Sequence, residues 1–241
     1  MTTPAALPQI DETLLATTRY LQALTVLDDE SVRRPSLLPG WSRAHVVAHL
    51  SRNADAFTRV LGQVAAGQPA SMYVSADARD AEIEDTVARL DLAGLVEDAL
   101  ASTARLTEAL WSCEAAPDAP YTRVPGDAGT WPVHTIGPRR RAEVAIHHAD
   151  LDLGYLPSEW PTDFSAALVG QRQEELAALD GGCPSMVLRS TDVDGLWKFG
   201  EGQGPEIRGA VGDLAWWLVG RGDGEGLTCS AGELPVLGRW R

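Results

Sequence analysis

Glu143 and His147 stand four residues apart in the run EVAIHHAD, residues 143–150. On a helix that spacing brings both side chains to one face, close enough to share a ligand. Asp150 lies close to the same stripe, whereas His148 is rotated by about 100° from His147 and cannot face the same point. A second pair with the same spacing, His45 and His49, occurs in RAHVVAHL, residues 43–50. Two imidazoles and one carboxylate with a fourth position open form a catalytic zinc pattern, and helical bundles build such sites from inward-facing side chains on two helices. Spacing alone does not choose between His45 and His49. A Glu four residues before a His also occurs as a weak pair on exposed helix faces. His148 reads as a residue that caps, packs or faces solvent.

The elements that must position these groups are helices in the first half of the chain. Apolar residues recur at Leu14, Leu15, Tyr20, Leu21, Leu24 and Leu27 with helical period. A break at Pro39-Gly40 is followed by Ser42 as an N-cap and by a helix that ends near Gly67. A third helix is expected from about Leu92 to Trp111, then loop or short strands from Pro117 to Trp131. A fourth helix begins near Pro138, suited to a first turn. Four helices of this length predict a bundle. Beyond Gly154 to Pro161 the pattern changes. A helix from Phe164 is stopped by Gly181-Gly182, and short strand-like runs follow in SMVLRSTD, GLWKFG and PEIRGA. The apolar helix VGDLAWWLVG and a last strand in GLTCSAGELP complete the chain. The expected class is α+β: a helical bundle over residues 1–155 and a small α+β domain over 156–241.

Composition narrows the function classes. Of 241 residues, 34 are Asp or Glu and 20 are Lys or Arg, a formal net charge of −14. This balance argues against nucleic acid or an anionic membrane as partner. Lys198 is the only lysine, and Arg-rich, Ala- and Gly-rich usage is typical of a GC-rich genome such as that of an actinobacterium. Cys113, Cys183 and Cys229 have no CxxC spacing, which suggests a reducing cytoplasm and no thiolate metal site. Each cysteine reads as a small buried residue. No signal peptide or membrane span is expected, so the protein is read as cytoplasmic.

Four segments, LLPGWSRAHVVAHLSRNADA, MYVSADARDAEI, RAEVAIHHADLDLG and GRGDGEGLTCSAGELP, resemble the mycothiol-dependent maleylpyruvate isomerases, within the DinB-like group of metal-binding four-helix bundles. The likeness runs through both halves in the same order. It implies a zinc ion held by His49, Glu143 and His147, with His45 structural and His148 a bystander. Asp150 becomes a candidate to orient His147, as metal-bound imidazoles usually require. The resemblance also singles out Arg79 and Arg221, whose guanidinium forks suit a dianionic substrate. Arg221 would place the site in a cleft between the domains.

The chemistry so implied is isomerisation of maleylpyruvate to fumarylpyruvate, with mycothiol as thiol cosubstrate and zinc activating it. One alternative is a mycothiol S-transferase on the same scaffold; another is a metal- or thiol-binding module without turnover. The partners expected are a small anionic substrate and mycothiol, in a monomer or homodimer. Trp216 and Trp217 read as core, Trp41 as a staple ahead of the Ser42 cap, and Asn53 as a residue able to reach the cleft.

Overall fold

The computed structural model describes residues 9–113, 115–178 and 183–237. The chain is α+β and divides into two compact units, Met1–Leu153 and Gly154–Arg241. The first unit contains helices α1 (Ile10–Ala23), α2 (Arg43–Ala65), α3 (Ala76–Arg89), α4 (Leu92–Trp111) and α5 (Ile136–Asp150). Helix α2 packs along α4, and α1 along α5, with α2 also touching α3 and α5. Apolar clusters fill the unit on either side of the α2–α5 contact. One gathers Phe57, Val60, Leu106, Leu110 and Ile136, the other Leu24, Val46, Leu50, Leu95 and Val144.

Helix α2 begins where its sequence says it should. Ser42 is extended, and its backbone N–H donates to Nδ1 of His45 at 3.2 Å. His45 thus fills the third position of a capping box, a place usually held by Glu or Gln. The helix closes before Gly67, whose φ of 66° is left-handed. Between α4 and α5 the chain forms a short antiparallel ladder, β1 (Pro120–Tyr121) with β2 (Trp131–Pro132).

Helix α3 is an addition to the four expected helices. Its buried residues are only Ile83 and Thr86, so it has no apolar stripe to betray it. Ser75 caps it, its Oγ accepting from the Ala78 N–H at 3.0 Å.

The second unit holds α6 (Thr162–Ala177), β3 (Met186–Ser190), β4 (Leu196–Phe199), β5 (Glu206–Gly209), α7 (Val211–Leu218) and β6 (Thr228–Cys229). The sheet order is β4-β3-β5-β6, with β3 and β5 parallel and the outer pairs antiparallel. Met186, Leu188 and Ser190 alternate into the core, under α6 and α7. Gly181 and Gly182, the expected stop of α6, lie outside the described residues. Trp217 is buried, and Trp216 packs edge-on against Trp160 at 5.8 Å.

The cysteines differ from expectation. Cys113, Cys183 and Cys229 are free and all partly exposed, because each follows the end of an element or sits on an edge strand rather than in a core stripe. Among the described residues no helix is long and apolar enough to cross a membrane.

Candidate metal centre

Helix α2 carries His49 in its second turn, and α5 carries Glu143 and His147 one turn apart. Where the helices meet, Nε2 of His49 lies 2.9 Å from Oε2 of Glu143, and Nε2 of His147 lies 3.5 Å from the same oxygen. One ligand atom from each residue falls within 4.8 Å of the others, a grouping that could hold a metal ion. The imidazoles meet edge to face at 4.5 Å. Both histidines are buried, at 4% and 6% exposure, while the Glu143 side chain retains 23%.

The charges of these groups depend on one another. Burial, the charge of His147 and the nearby Arg79 push His49 down to about 4, against the pull of Glu143, so His49 is neutral at neutral pH. Burial acts to raise Glu143, but bonds to His147 and His49 outweigh it and hold the carboxyl well below its usual range. Burial likewise acts to lower His147, and the bonds from Asp150 and Glu143 reverse it, so His147 is raised above its ordinary value.

Asp150 sits behind His147. Its Oδ2 accepts from Nδ1 of His147 at 2.8 Å, and the residue is fully buried. That bond keeps a hydrogen on Nδ1, so that in the neutral ring the Nε2 lone pair is the one that faces the centre. On the other side, Nη2 of Arg79 lies 3.1 Å from Nδ1 of His49. A guanidinium can only donate, so Nδ1 of His49 accepts and its own hydrogen sits on Nε2, facing Glu143. Arg79 also pairs with Asp80 at 2.6 Å.

His45 is not among the converging groups. Its Nδ1 serves the Ser42 cap and its Nε2 is 3.4 Å from Glu84. His148 is buried rather than exposed, edge-on to Tyr20 at 6.2 Å. Arg221 follows α7 in the second unit, where its N–H bonds to Trp216 and its Nη1 donates to Val219 O at 3.3 Å.

Three further residues lie around the centre, and among them only Tyr73 carries no sign in the sequence. Asn53, one turn beyond His49, faces inward: its Oδ1 accepts from Nη1 of Arg140 at 2.8 Å, and both are buried. Trp41 packs on the bundle as expected of a staple, but its ring also lies 5.6 Å from that of His49. Tyr73 is buried next to Arg79. Local spacing carried no signal for Arg140 or Tyr73, since their partners come from other elements.

Comparison with known proteins places the chain beside one family. Residues 14–152 match the family described as the mycothiol maleylpyruvate isomerase N-terminal domain. Two solved structures are similar over 100% of both chains at 27% identity and a TM-score of 0.89. One is a crystal structure of the mycothiol-dependent maleylpyruvate isomerase, the other that of a variant with one histidine replaced by alanine. No curated protein sequence matches.

Proposed function

Since the chain belongs to the mycothiol maleylpyruvate isomerase family, we propose that it is an isomerase that converts maleylpyruvate to fumarylpyruvate with mycothiol, at a zinc site formed by His49, Glu143 and His147. The observation that carries this reading is the convergence of two imidazole nitrogens and a carboxylate, in a chain alike over its whole length to such an isomerase.

The donor set suits a divalent ion. Two imidazole nitrogens and one carboxylate match a catalytic zinc site, and Asp150 behind His147 is the usual support for a metal-bound imidazole. To hold the ion through Nε2, His49 would carry its one hydrogen on Nδ1 instead, and Arg79 would give up its bond to that nitrogen. When bound, the ion supplies a Lewis acid that lets a thiol lose its proton at neutral pH.

Maleylpyruvate carries a cis double bond conjugated to a ketone. Adding a thiol sulfur to that bond moves its π electrons to the ketone oxygen as an enolate. The former double bond then turns, and the electrons return as the carbon–sulfur bond breaks, leaving the thiol as it entered. The protein's residues hold the dianion and the developing oxyanion in place. Arg79, beside His49, presents a fork to one carboxylate and a positive charge to the enolate. We assign Arg221 the other carboxylate on the strength of its segment's resemblance. Glu143, kept ionised, offers the single anionic donor.

The test follows the ultraviolet spectrum of maleylpyruvate with and without mycothiol, before and after chelation. Conversion that needs both thiol and metal is expected. Consumption of mycothiol by a generic electrophile, with maleylpyruvate untouched, would instead identify an S-transferase.

A further inference from the structure

Arg79 is enclosed by two aromatic faces. Its guanidinium carbon lies 5.9 Å from the centroid of Trp41 and 6.0 Å from that of Tyr73. The rings come from separate segments, and each is pinned by its backbone. Trp41 N–H donates to Leu38 O at 3.0 Å, and its own carbonyl accepts from both Ser36 N–H and Ser36 Oγ at 2.9 Å. Tyr73 N–H donates to Arg123 O at 2.9 Å, and the preceding Met72 N–H to Thr122 O at 3.0 Å.

An arginine side chain on a helix surface samples many rotamers, and fixing it in one costs entropy. Among the described residues its carboxylate partner is Asp80, 64% exposed, so that pair is weak and exchangeable. The rings provide what Asp80 cannot, a neutral face that attracts the cation, and at Tyr73 the hydroxyl adds a hydrogen bond to Arg79. Burial and then the charge of Glu143 push the Tyr73 phenol above its ordinary value, so this ring carries no charge at neutral pH. Trp41 also touches the ring of His49, which ties the guanidinium's position to that of the ligand histidine.

We propose that Trp41 and Tyr73 are positioning residues, two aromatic faces that hold the Arg79 guanidinium beside His49 and so fix where a substrate carboxylate docks relative to the metal ligands. This rests on the reading of Arg79 as a carboxylate partner. The role belongs to the ring face and not to side-chain bulk. Leucine at either position would fill space but offer no quadrupole, whereas phenylalanine would keep it.

Calorimetric binding of maleate, a small dicarboxylate, to the metal-containing protein separates these possibilities without turnover. The proteins compared are wild type, Arg79→Ala, and the Phe and Leu variants at Trp41 and Tyr73, with metal content and melting temperature followed in parallel. Each Leu variant is expected to bind maleate about three- to thirtyfold more weakly, Trp41→Phe within about threefold of wild type, and Tyr73→Phe between wild type and Tyr73→Leu, because it keeps the ring but loses the hydroxyl bond to Arg79. Metal content should stay unchanged, and in turnover the loss should fall on KM rather than kcat. Leu variants that bind as well as their Phe counterparts would overturn the inference. The partly exposed Trp41 pair decides the matter if Tyr73→Leu fails to fold. Arg79→Ala binding maleate like wild type, or no binding by wild type, would overturn the reading of Arg79 and the positioning role with it. A protein that binds maleate as expected but leaves maleylpyruvate unconverted would sink the isomerase reading alone.

Discussion

One helical turn separates two contacts between α2 and α5 that obey opposite rules. At His49, Glu143 and His147 two imidazole nitrogens face one carboxylate oxygen, at 2.9 and 3.5 Å. At Asn53 and Arg140 a donor meets its acceptors: Nη1 of Arg140 serves Asn53 Oδ1 and Leu50 O, each at 2.8 Å. The first layer is built from atoms that prefer a cation between them. The second is matched at Nη1, where those acceptors replace water for a buried guanidinium, although Nε of Arg140 is buried without a hydrogen-bond partner among the described residues.

Changes in the two layers should therefore fail differently. Glu143→Gln has the largest expected effect. The protein should be purified without metal, and conversion of maleylpyruvate should fall to background, as metal analysis and the ultraviolet assay will show. Asn53→Ala should act first on stability. It strips a buried cation of an acceptor at a cost of about 2–3 kcal/mol, measurable by urea unfolding of the metal-free protein. A variant as stable as wild type would erase the distinction between the layers.

Asp150→Asn tests the support of the first layer. With the carboxylate gone from behind His147, metal affinity should fall about ten- to a hundredfold in a chelator competition. An unchanged affinity would mean that the 2.8 Å bond holds α5 in place without tuning the donor.

The smallest effect is on pH dependence. His147 is raised above its ordinary 6.5, so the stability it contributes to the metal-free protein is present below that value and is lost as pH climbs through its raised pKa. Glu143 works the other way: its contribution is present above its ordinary 4.5 and is lost as pH falls through its depressed pKa. A metal ion competes with the His147 proton. Its affinity should therefore climb by about tenfold per pH unit until the raised pKa is passed, then level off. An affinity flat across neutral pH would show His147 already neutral.

Much of the fold was legible because its signals are local. Ser42, Gly67 and the apolar stripes mark α2, and turn residues punctuate the short strands of the second unit. Helix α3 was not, since a helix that buries only Ile83 and Thr86 has no periodic stripe to read. Its absence from the sequence reading also hid the element that carries Arg79. The partial exposure of all three cysteines was equally out of reach, because cysteine is small enough to sit in a core or at an edge without changing the pattern around it.

Within the site the same division holds. A four-residue spacing on one helix is a geometric fact of the chain, so the shared face of Glu143 and His147 followed from sequence alone. Asp150, three residues from His147, lay within the same local rule. Which histidine of α2 meets them did not follow from spacing, where His45 and His49 have equal claims until α2 is set against α5; only the family resemblance pointed to His49. Tertiary structure decided it, turning His49 inward and giving His45 to the cap. It also decided the pairing of Arg140 with Asn53, 87 residues apart in sequence, and the meeting of Trp41 and Tyr73 over Arg79. The physical reason is that helix periodicity fixes which side chains share a face, while the packing of separate helices and loops fixes what that face meets.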